Sequence, residues 1–251
     1  MMRISETVKH LIIINVIMFV GTIAIGDGLL FNKWFSLFFP QNDWFKPWQI
    51  LTHMFMHGGL MHLFFNMFGL WMFGTPVEQV LGRKRFLFIY FSAGLGAVLL
   101  QLGYNFFVFY DLTSPLIEKG YSLTDIISAM NSSGLNEDLV KSIIGNENFN
   151  NLEDTFYTRM VGASGCLMGI LAAFGMMNPN AELMLIFLPI PIKAKYFIPG
   201  LILLDLISGI RGQSIFGFGN IAHFAHVGGA LTGFIIMWYW KRNQFNQNRW
   251  Y

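Results

Sequence analysis

The chain has 251 residues, of which 54% are hydrophobic and 12% charged, with a formal net charge of +2. Soluble domains carry about a quarter charged residues, so the composition excludes an ordinary water-solvated globule and points to a lipid-embedded chain. The small net charge, with no basic stripe, excludes a nucleic-acid surface, and the single cysteine, Cys166, excludes an internal disulfide.

Six apolar segments follow in chain order. The first runs from about Leu11 to Gly26 and is closed by Asp27. Arg3 and Lys9 precede it and no small-residue cleavage site follows, so it reads as a retained span. An aromatic stretch from Leu30 to Trp48 reads as an interfacial belt. The second span lies between about Leu60 and Val80, and the third is Phe86 to Tyr110 without a charge. The fourth is Met160 to about Met177, the fifth about Tyr196 to Ile210 with Asp205 inside it, and the sixth about Ile221 to Trp240. Each approaches the roughly 20 residues a helix needs to cross the hydrocarbon core. Helix is the expected form in lipid, where every backbone polar group must be paired internally. The reading is an all-α membrane protein, a single six-helix membrane domain over residues 1–251.

Residues 111–158 form the one long polar insert, rich in Asp and Glu, with enough Leu, Ile and Phe for short helices. With the N-terminus inside, the inner segments carry Arg3, Lys9, Arg83, Lys84, Arg85, Lys193, Lys195, Lys241, Arg242 and Arg249, most of the 16 bases. That bias places both termini in the cytoplasm and the acidic insert outside. Multi-pass insertion in a cell (inner) membrane is the expected location.

Polar groups within spans are costly and therefore candidates for function. Five of the six histidines fall in two clusters: His53, His57 and His62, then His223 and His226. Spans two, four and six all run from outside to inside. His62 and Asn66 near the start of span two, Ser164 in span four and His226 in span six then lie roughly 3–9 Å below their helix starts, at 1.5 Å per residue. A hydroxyl, a base and amide or imidazole donors at one depth near the outer face suit serine hydrolysis, with Ser164 as nucleophile and His226 as base. His62, the Asn66 amide and the Ser164 N–H suit the oxyanion. His62 and Asn66 share a helix face, being four apart. Gly162, Gly165 and Gly169, and Gly228, Gly229 and Gly233, suit close approach of spans four and six.

These residues resemble the rhomboid family of intramembrane serine proteases. The resemblance covers roughly residues 45–110 and 159–240. It is carried by His53-Met-Phe-Met-His57-Gly-Gly-Leu-Met-His62-Leu-Phe-Phe-Asn66, by Gly162-Ala163-Ser164-Gly165, by Ala225-His226-Val227-Gly228-Gly229 with Gly233, and by Gly74-x-x-x-Glu78-x-x-x-Gly82. It implies a rhomboid-like six-helix bundle and a Ser164–His226 dyad without a third acidic member. It also implies His62 and Asn66 as oxyanion donors and no cofactor. The implied substrates are single-span membrane proteins, entering laterally near spans two and five under a fifth-loop cap at about 211–220. Three features depart from the family pattern. Trp48-Gln49 stands where many members have Trp-Arg, and Met168 stands where many bacterial members place a tyrosine against the base. The insert exceeds the family's usual third loop.

Other readings weigh against this one. His53 and His57 have a metal-compatible i, i+4 spacing, but H-E-x-x-H and nearby carboxylates are missing, which disfavours a zinc hydrolase. A rhomboid-like chaperone would more often lack the serine or histidine, and a transporter would carry charge in several spans. His53 and His57 read as supporting groups, His223 as structural or water-facing, and Asp205 as a buried acceptor or a group on a wet rim.

Overall fold

A computed structural model describes residues 3–185, 188–212 and 222–247. The chain opens with α1 (Glu6–Ala24), the expected first span begun earlier. A 3-10 turn at Gly26–Gly28 leads into α2 (Leu29–Phe35). The aromatic stretch that follows is knotted rather than loose, and the short α3 (Gln49–Thr52) closes it. The fully buried Gln49 side chain accepts from Phe38 N–H (3.4 Å) and Lys46 N–H (3.0 Å). Its amide donates to the carbonyls of Lys33 and Trp44 (both 2.9 Å). Backbone groups with no helix or strand to pair with are thereby satisfied by one side chain. Trp48 stacks on Trp34 and donates its indole N–H to the Trp34 carbonyl.

After a 3-10 turn at His53–Phe55, α4 (Leu60–Gly69) runs through a π turn at Leu70–Gly74 into α5 (Thr75–Glu118). Gly82 interrupts α5 with φ 77°, a conformation other residues rarely adopt. Phe86 packs back against Gly74, so the chain reverses at that break and the second and third spans stand side by side. Glu78 secures the same end of the bundle. Its carboxylate accepts from the Ser5 hydroxyl and from the N–H groups of Thr7 (3.2 Å) and Val8 (3.1 Å), capping otherwise unpaired donors at the start of α1.

The third span was expected to end at Tyr110, yet α5 continues to Glu118. From Phe86 that is about 50 Å of helix, well beyond a hydrocarbon core of about 30 Å. Its overhang supports the acidic insert, which folds as α6 (Leu123–Asn131), α7 (Glu137–Ile144) and α8 (Asn146–Tyr157). Ser122 and Asn136 cap α6 and α7, and Phe109, Leu116, Met130, Phe149, Leu152 and Phe156 bury a separate apolar cluster with Phe39.

α9 (Ser164–Met177) is followed by a small antiparallel hairpin, β1 (Glu182–Leu185) and β2 (Leu188–Lys193), which pairs Glu182 with Lys193. No strand was expected here, because a short apolar run does not distinguish strand from helix by periodicity. α10 (Ala194–Arg211) and α11 (His223–Gln247) complete the chain. The expected fifth-loop cap lies mostly outside the described residues, as does the predicted start of the sixth span at Ile221.

α5, α9 and α11 form the central trio. Their spacing comes from backbone meeting backbone. A Cβ on Gly229 would strike the Gly165 carbonyl group, and one on Gly233 would strike that of Gly169. Gly165 and Gly169 in turn admit the methyl groups of Ala97 and Ala93. Small residues at these crossings replace the hydrophobic drive that lipid does not supply.

Candidate active site

Ser164 is the first residue of α9, not four residues into a helix as expected from an apolar run starting at Met160. Met160 pairs instead with Leu37 in an isolated bridge. Gly162 then takes φ 123° and donates its N–H to the His53 carbonyl at 2.9 Å, so helix begins only after it. The first intrahelical bond of α9 runs from Leu167 N–H to the Ala163 carbonyl. The N–H groups of Ser164, Gly165 and Cys166 therefore have no intrahelical acceptor.

α4 faces this helix start. A Cβ at Gly162 would lie 2.8 Å from His62 Nε2 and 3.6 Å from Ser164 Oγ, so both groups border one glycine-sized space. His62 Nδ1 faces Gly58 N–H at 3.4 Å, and the His57 ring stands edge-on to His62 with centroids 5.1 Å apart. Asn66 lies one turn deeper. One of its amide hydrogens goes to the His62 carbonyl (2.8 Å), and its Oδ1 is buried without a partner among the described residues. His53, buried beneath the loop, is fixed by its Nδ1 on the Gln49 carbonyl at 2.9 Å, consistent with the expected supporting role. Burial holds its pKa down at about 4, and that of His57 also at about 4, so both are neutral at ordinary pH.

From the other side, α11 brings His226. The crossing of Gly229 with Gly165 sets the turn bearing His226 beside the turn bearing Ser164. Among the described residues, no hydrogen bond joins Ser164 Oγ to His226. His226 Nδ1 instead meets Asp205 Oδ2 of α10 at 3.0 Å, and His223 Nδ1 meets Asp205 Oδ1 at 2.7 Å. The side chain of Asp205 is 12% exposed. The absence of an acidic group beside the base, which the family resemblance implied, is therefore corrected. Asp205 is the buried acceptor that was one of the two expectations for it, and its partners are both histidines of the sixth span. Met168 is buried in the core, and among the described residues no aromatic ring stacks on His226. Among those residues no cluster of His, Cys, Asp and Glu has metal-binding geometry.

The sequence model of the Rhomboid domain matches residues 45–243. The chain belongs to the rhomboid family. Individual relatives agree. The presenilin-associated rhomboid-like protein of Rattus norvegicus mitochondria is 28% identical over 191 residues, 76% of this chain and 36% of that protein. The mitochondrial Rhomboid protein 1 of Saccharomyces cerevisiae is 24% identical over 191 residues, 76% of this chain and 41% of that protein. The rhomboid protease GluP of Bacillus subtilis is 46% identical over 55 residues, 22% of this chain and 10% of that protein. The chain thus spans well under half the length of these relatives. It is an all-α integral membrane protein of the rhomboid type, its small hairpin apart. Two groups that organise this rhomboid's site, Gln49 and Asp205, were not assigned those roles from sequence.

Proposed function

We propose that this rhomboid is an intramembrane serine endopeptidase, cleaving peptide bonds in or near the transmembrane segments of single-span membrane proteins. The observation that carries the proposal is the convergence of α4, α9 and α11. They bring His62, the Ser164 hydroxyl at an open helix N-terminus, and His226 to one end of the bundle. His226 Nδ1 is engaged by Asp205, which leaves Nε2 as the nitrogen to accept the Ser164 proton. The freed Oγ attacks the scissile carbonyl carbon. The resulting oxyanion is held by His62 Nε2–H, the second hydrogen of the Asn66 amide and the N–H groups in the first turn of α9 that have no intrahelical acceptor. The proton on His226 passes to the departing amine nitrogen as the C–N bond breaks. Water, giving its proton to His226, then hydrolyses the acyl-enzyme and restores Ser164.

The whole chain serves as one membrane domain in this reading, with no cofactor and with the insert at 111–158 on the outer side. Both termini face the cytoplasm across the cell (inner) membrane, an orientation supported by the basic run Arg83–Arg85 beside the Gly82 break in α5. Opening the site outward gives water a path without crossing the bilayer centre. The test is cleavage of a transmembrane substrate by purified protein, with a fluorophosphonate label mapped by mass spectrometry. Ser164→Ala and His226→Ala are expected to remove both cleavage and labelling, and chelators to change neither. Full activity in either variant, or zinc-reversible inhibition by a chelator, overturns the reading.

A further inference from the structure

We propose that Asp205 is a positioning residue for the base, making the site a Ser–His–Asp relay rather than a dyad; this rests on the serine-protease reading above. An ionised carboxylate only accepts hydrogen bonds, so both Nδ1 atoms that face it carry hydrogen. Neutral His226 is thereby held as the Nδ1–H tautomer, with its lone pair on Nε2 where the serine proton must go. When His226 takes that proton, the carboxylate 3.0 Å away stabilises the cation without itself being protonated.

The packing around this carboxylate is built to hold it. Phe224, between the two histidines, stacks on Tyr104 of α5 with ring centroids 4.1 Å apart. Its other edge fills the place of a side chain at Gly209, one turn beyond Asp205, where a Cβ would lie 2.9 Å from the ring. α10 and α11 are therefore set at a fixed distance beside the pair of hydrogen bonds. The two histidines are not equivalent. His223 Nε2 is buried and without a partner among the described residues, whereas its Nδ1 orients the second carboxylate oxygen. His226 remains 18% exposed and can meet a substrate. The carboxylate also supplies the orientation that Met168, buried elsewhere in the core and lacking a ring, does not.

The test compares Asp205→Asn and Asp205→Glu with the wild type, purified in detergent, reading kcat and KM on a transmembrane substrate and the rate of Ser164 labelling by fluorophosphonate. An amide of the same shape offers an N–H to Nδ1 and favours the wrong tautomer. The expected result is a fall in kcat of about 100-fold or more in Asp205→Asn, with KM within about threefold and labelling slowed in parallel. Asp205→Glu is expected to recover at least about tenfold of the lost kcat. A kcat within about threefold of wild type in Asp205→Asn, or a loss that Asp205→Glu does not relieve, overturns the proposal. Should Asp205→Asn fail to fold, Asp205→Ala assayed with added formate takes its place. Rescue of kcat by formate supports the assignment, and its absence overturns it. Ser164→Ala runs alongside: cleavage persisting there defeats the protease reading itself, whereas loss there with an unaffected Asp205→Asn defeats only the relay.

Discussion

Gly229→Ala is the sharpest test of how the site is assembled. The new methyl carbon would sit 2.8 Å from the Gly165 carbonyl carbon and 3.2 Å from its Cα. Carbon atoms in contact prefer about 3.5–4.0 Å, and these obstacles are backbone that cannot rotate away. α11 must therefore retreat from α9 by about 1 Å, and the turn that bears His226 moves with it. Overpacking of this kind costs about 1–3 kcal/mol, or roughly 2–12 °C in Tm for a chain of this size. A shift of about 1 Å in a catalytic pair is expected to lower kcat about 100-fold. Thermal unfolding in detergent and cleavage of a fluorogenic transmembrane peptide read the two effects. Gly103→Ala supplies the contrast, because among the described residues nothing lies within 4 Å of its added methyl on α5. That variant should gain about 0.5–1 kcal/mol from helix propensity and retain activity. If Gly229→Ala matched wild type in both Tm and kcat, the backbone crossing would not set the position of the base.

Three further outcomes follow from particular contacts. Gln49→Ala strands three loop backbone groups and the Lys33 carbonyl at the end of α2 and is expected to cost about 2–4 kcal/mol, seen as a lower Tm and faster proteolysis within residues 36–48; an unchanged Tm would show that the loop holds itself. Glu78→Gln replaces an acceptor of three hydrogen bonds with a group that itself donates, and should lose about 1.5–3 kcal/mol by thermal unfolding; equal stability would remove the carboxylate from the fold's supports. Acid should weaken the protein through His53 and His57: an unfolded imidazole takes a proton below about 6.5, whereas each of these buried ones does so only near about 4. Stability is thus whole above the unfolded value, falls by about 1.4 kcal/mol per pH unit for each histidine on acidification through that window, and levels off below it. His53→Gln should remove about half of that slope, and a Tm that does not vary between those limits would contradict the neutral buried imidazoles.

Hydropathy was enough to find the apolar spans, but not to count Ser164's depth, because depth at a rise of about 1.5 Å per residue is counted from the helix start and α9 starts at Ser164 itself. It was not enough to pair Asp205 with His223 and His226. That contact depends on the rotation of α10 and α11 about their own axes, where one residue is about 100° and an error of two reverses the face. Gln49 escaped for a different reason: its partners are backbone atoms of an irregular loop, which leave no mark in a residue pattern. The start of α9 was misplaced because Met160 and Val161 are as apolar as the helix they precede, and only the positive φ of Gly162 separates them. The overhang of α5 was hidden by Asp111 and Pro115, which look like a helix end and are instead carried in its last turns.

The carboxylate shared by α10 and α11 has a mechanical consequence. A hydrogen bond of about 3 Å is lost once its partners separate by little more than half an ångström. Any outward swing of the last turns of α10 therefore releases His223 and His226 together and leaves the base free to turn. In the proposed relay, widening the bundle on that side and holding His226 would therefore be separate states: a gap at α10 large enough for a peptide chain would be one in which Asp205 no longer orients His226.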